Sequence, residues 1–211
     1  MKNMRLKFII DKKYDLELIS NKKDKKEAEE RYKRIGQYLK KTKMLYQKSW
    51  DQINEDFFKT TEEITGYPWK YKRYYCVLSP FFQGISSWGE NKIVRSWKEN
   101  PYTMRKITAH ELLISHIFTI FERNFKEAKL TKKQKWALAE ISAFAICGLE
   151  RKMLKFWPWI LEKEKYPLDH NYPELYSLQR KLKLIFQEKK NFKDFLEKSI
   201  KITKKWEFGE N

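Results

Sequence analysis

The stretch MRKITAHELLISHIFTIF, residues 104–121, reads as one helix, and its contents decide how the rest of the chain is arranged. With successive helical residues about 100° apart, Ile107, Leu113, Ile114, Ile117 and Phe121 all fall within about 60° of His110. His110 therefore points to the apolar side, where an imidazole is costly unless a partner meets it. Glu111 flanks it, and Thr108, Ser115, His116 and Thr119 form the opposite, polar face. The second strongly apolar stretch, WALAEISAFAICGL (136–149), holds a single carboxylate, Glu140. Buried charges are usually paired or bound to metal. The simplest expectation is that His110 and Glu140 meet, directly or through a cation.

Working outward, Thr131 is placed to cap the Glu140 helix, which runs to about Glu150, and Thr103 to cap the His110 helix. Upstream, Tyr74–Leu78 and Lys92–Trp97 are β-rich, joined by a stretch with Pro80, Gly84 and Gly89. Two strands joined in this way predict a small antiparallel sheet. Arg5–Ile10 predicts a further short strand with Leu6, Phe8 and Ile10 on one face. From Asp24 to Ile64 apolar residues recur at helical spacing, with Gly36 and Thr42 as weak points, until Gly66-Tyr67-Pro68 stops the helix. Phe156-Trp157-Pro158-Trp159 is an aromatic turn expected to plug the core, and helical patterns fill Glu174–Lys189 and Phe192–Lys201. The predicted fold is α+β: one helix-rich domain over residues 1–211, with a small antiparallel sheet beside a buried His-Glu helix. Its parts are an N-terminal strand and long helix (1–70), the sheet and site helices (71–150), and a C-terminal helical part (151–211).

Composition sets the outer limits. The chain is 41% hydrophobic and 16% aromatic with six glycines and six prolines, which favours a compact core over disorder. No apolar run approaches the roughly 20 residues of a membrane span, and residues 1–10 lack the features of a secretory signal. The expectation is a cytoplasmic protein without a membrane partner. Cys76 and Cys147 are isolated, which suits small buried hydrophobes rather than a disulfide or thiolate cluster. The net charge of +18 attracts polyanions, so nucleic acid is one expected partner. Against it, only nine of the 46 basic residues are Arg, and the lysines are spread through every segment. No phosphate-cradling glycine loop and no G-x-S-x-G elbow is present.

His110-Glu111 on a helix, with a Glu on the next helix and strands before both, resembles the gluzincin-type zinc metallopeptidases over Tyr74–Glu150. The resemblance implies a zincin-like fold with zinc as cofactor and a peptide or protein as substrate. His110 and Glu140 would be metal ligands, and Glu111 the base that activates the zinc-bound water. The second His of H-E-x-x-H is replaced by Ile114. His116, about 120° around the helix from His110, or His170, in a loop-like stretch after Asp169, would have to complete the ligand set. With the set complete, the chain would hydrolyse amide bonds while the strand at Lys92–Trp97 held the substrate at the sheet edge. Without it, the chain is a catalytically silent binding or scaffold protein of the same fold. A basic helical nucleic-acid-binding module is the reading from outside this family.

Overall fold

A computed structural model describes residues 5–161, Tyr166 and 172–206. It is helix-rich and α+β, with a four-stranded sheet. The strands are β1 (Leu6–Ile9), β2 (Tyr74–Ser79), β3 (Gly84–Ile85) and β4 (Lys92–Ser96). The helices are α1 (Lys12–Glu17), α2 (Lys22–Asp51), α3 (Asn54–Thr65), α4 (Met104–Asn124), α5 (Lys132–Leu149), α6 (Arg151–Leu154), α7 (Tyr176–Glu188) and α8 (Phe192–Thr203).

The sheet is mixed, which corrects the antiparallel expectation. Its order is β1-β2-β4-β3, and β1, β2 and β4 run parallel while β3 alone is antiparallel to β4. The reason lies in the connection read as loop. Gly84-Ile85 forms a strand of its own that reverses the chain, so β4 returns in the direction of β2 and slots between it and β3. β4 is thus an inner strand paired on both sides, and the edge expected at Lys92–Trp97 belongs to β3 instead.

The long helical pattern is two helices, broken at Gln52–Ile53 rather than at Gly36 or Thr42. Asn54 fixes the break: its side-chain oxygen accepts from the Trp50 ring N–H at 3.0 Å and from the Leu6 backbone N–H at 3.1 Å. That second bond ties the start of α3 to β1, so the bend satisfies a strand donor that a straight helix would leave without this acceptor. Gly66, at φ +74°, then ends α3 in the left-handed conformation that glycine adopts without strain.

α4 lies at the centre, with its apolar face and its supposed polar face both buried. Leu112 through Phe121 are all inside, as is Thr108. The hydroxyls there need no water: Thr119 donates to the Ser115 carbonyl and Ser115 to the Glu90 carbonyl. α5 packs along α4, started by a capping box in which Thr131 and Gln134 exchange side-chain and backbone hydrogen bonds. Thr103 occupies the corresponding position on α4 but makes no side-chain cap; its hydroxyl donates to the Asn100 carbonyl instead. Trp157 enters the core with its ring N–H on the Cys147 carbonyl at 3.1 Å, whereas Trp159 stays partly exposed. Both cysteines are free and buried. Among the described residues, no helix is long and apolar enough to cross a membrane.

Candidate functional site

The packing of α4 and α5 brings His110 and Glu140 together. His110 sits two turns into α4, where the helix leaves the sheet edge, and Glu140 faces it from the middle of α5. The imidazole Nε2 and the Glu140 Oε2 are 3.0 Å apart, with the nitrogen donating to the carboxylate. Trp136, one turn before Glu140, donates its ring N–H to the other oxygen, Oε1, at 3.1 Å. Phe144, one turn after, meets the His110 ring edge to face at 6.2 Å. Burial disfavours the imidazolium, but the hydrogen bond and charge of Glu140 more than reverse this, so the His110 pKa lies above its ordinary value.

These residues form one wall of a cleft of about 780 Å³ between the sheet edge, α4, α5 and the segment after α6. β3, with Gln83 and Ser86 beside it, also lines the cleft, as do Trp159 and Tyr172. Tyr172 stands edge-on to Trp136, ring centres 4.9 Å apart. Volume and aromatic lining are those of a small-molecule or peptide site, with a few convergent polar groups.

Of the polar floor, Glu111 was read from the sequence, but Arg95 and Glu99 were not. Arg95 rises from β4 with 3% of its side chain exposed and pairs through Nη2 with Glu99, four residues on. Its Nη1 approaches the Glu111 Oε1 at 3.8 Å. Burial pushes the Glu111 carboxyl up to about 7, with His110 and Arg95 pulling back the other way. Gly84 makes this floor possible, because a Cβ there would be in hard contact with Arg95 Nη1 and 2.7 Å from Glu111 Oε1. The guanidinium is buried and paired, so it cannot swing aside freely. Gly84→Ala is expected to cost about 1–3 kcal/mol in urea unfolding, the usual range for overpacking. Unchanged stability would show that the Arg95–Glu111 contact is soft. The available sequence signal for Arg95 was a charge between Val94 and Ser96 in a strand otherwise fit for burial, which demands an acidic partner.

His116, the other candidate ligand on this helix, is not brought to His110 and Glu140. The helix is undistorted, so His116 points away from His110 toward α3. There it stacks on Trp69, ring centres 4.3 Å apart, and its Nε2 lies 3.2 Å from the Thr65 hydroxyl. Ile114, at the place of a second H-E-x-x-H histidine, is fully buried in apolar core. His170, with Asp169, lies outside the described residues. Among the described residues, no group of three or more His, Cys, Asp or Glu side chains is placed to hold a metal ion. Both oxygens of Glu140 are taken by N–H donors, and Glu111 faces a guanidinium. Among the described residues this donor set does not by itself make up the zinc centre that the resemblance implies. Searches of family models, curated proteins and solved structures find no match to this chain.

Proposed function

We propose that the cleft binds an extended peptide without hydrolysing it, as a catalytically silent protein with a peptidase-like layout. The direct His110–Glu140 hydrogen bond carries this reading, because it uses for structure the two side chains a metal would need. Two further features support it. β3 ends the strand order, so among the described residues no strand pairs with the side of it away from β4, where a peptide could add one. The aromatic rings of Trp136, Phe144 and Trp159 offer apolar surface to alternate side chains of that strand. Acid–base chemistry by Glu111 acting on a zinc-bound water would need ligands beyond those described.

The test joins metal analysis to binding. Protein purified without chelator is expected to carry far less than one zinc per chain. It is also expected to bind N-acetylated apolar tetrapeptides saturably, read by tryptophan fluorescence, and to leave them intact by mass spectrometry. Stoichiometric zinc or cleaved peptide would overturn the silent reading, and absence of saturable binding would overturn the peptide site.

A further inference from the structure

The floor of the cleft carries more positive hydrogen-bonding capacity than its own acids use. Arg95 offers five N–H donors in a fixed fork. Only Nη2 is engaged by Glu99; Nε is buried without a partner, and Nη1 meets Glu111 beyond hydrogen-bond length. A guanidinium 97% removed from solvent and left this short of acceptors is costly in a site with no ligand role. Of the other acids nearby, Glu140 is engaged by His110 and Trp136, and Glu111 stands 3.8 Å from Nη1. Glu99 adds a second open group, for its Oε2 is buried and has no partner. The floor therefore has room for an acceptor on Arg95 and, beside it, an N–H donor on Glu99.

The last residue of a peptide supplies both, a carboxylate and its own amide N–H. We propose that Arg95 binds the free C-terminal carboxylate of a peptide lying along β3, with Glu99 taking the N–H of the terminal residue. This rests on the peptide-binding reading of the cleft and narrows it to one end of the ligand. Gly84 belongs to the same device, since the absence of a side chain there brings the strand backbone down onto the guanidinium. The net charge of +18 helps an anionic chain end approach.

The test uses two N-acetylated apolar tetrapeptides of one sequence, one ending in a free acid and one in an amide, titrated into the full chain by calorimetry. The acid is expected to bind at least about tenfold more tightly, the size of a charge-assisted hydrogen bond. Arg95→Met should remove the preference. Arg95→Lys, which keeps the charge and loses the fork, should reduce it several-fold, and carries the test if the Met variant does not fold. Equal affinity of acid and amide overturns this proposal and leaves the peptide cleft standing. Binding of neither overturns both.

Discussion

Glu140→Leu is expected to lower the stability of the fold by about 3–5 kcal/mol in urea unfolding at pH 6, the cost of stripping one partner from a buried ion pair. The substitution leaves the His110 imidazolium and the Trp136 ring N–H facing a hydrocarbon side chain. His110→Leu should cost less, since it leaves a carboxylate that still holds Trp136. The double variant should be more stable than the sum of the single losses by about 1–3 kcal/mol, because the two residues are in direct contact. The effect depends on pH in a fixed sense. The folded-state pKa of His110 is raised above its unfolded value near 6.5, so the pair's contribution is full below that value. It is lost as pH rises through the folded value. The gap between the parent protein and Glu140→Leu should therefore narrow from pH 6 to pH 9. A gap constant over that range would mean that His110 is not charged in the fold and that the contact is an ordinary neutral hydrogen bond.

That pair was legible in the sequence for a physical reason: two ionisable groups in separate apolar helices must compensate each other or be left uncompensated. Local rules of the same strength also placed β1, through Leu6 and Phe8, and the start of α5, through Thr131. The features that escaped depend on distant partners. β3 has two residues, too few to show a strand period, and without it the directions of β2 and β4 could not be read. The break before α3 exists because Asn54 serves the Leu6 N–H, 48 residues away in sequence. Ser115 and Thr119 spelled a polar face, yet their protons go to carbonyls, so that face could be buried. Arg95 escaped for the opposite reason: its acids, Glu99 and Glu111, lie in a loop and in a helix that only the folded sheet edge brings to it.

His116 shows what the buried polar face of α4 does. Acidification from pH 7 to pH 4 is expected to remove about 3 kcal/mol of stability through this one side chain, at roughly 1.4 kcal/mol for each unit below its unfolded pKa. The Thr65 hydroxyl gives its single proton to the Thr61 carbonyl at 2.8 Å, so at the His116 contact it accepts and the imidazole Nε2–H donates. Nδ1 is then a bare lone pair, buried and without a partner. A second proton there would bring a charge into a site fully removed from water, and this burial drives the His116 pKa down to about 3. Because the folded value lies below the unfolded one, the unfolded chain binds the extra proton first. The stabilisation is thus complete above about pH 6.5 and drains away as pH falls toward the folded value. His116→Phe keeps a ring on Trp69 and cannot be charged, so its stability should fall less steeply over the same interval. Parallel curves for the two proteins would show that His116 is already protonated or solvated. A histidine kept neutral by the core, stacked on Trp69 and bonded to α3, cannot also turn toward His110. The straightness of α4 therefore gives its two imidazoles separate tasks: one anchors the helix to α3, and the other shapes the cleft.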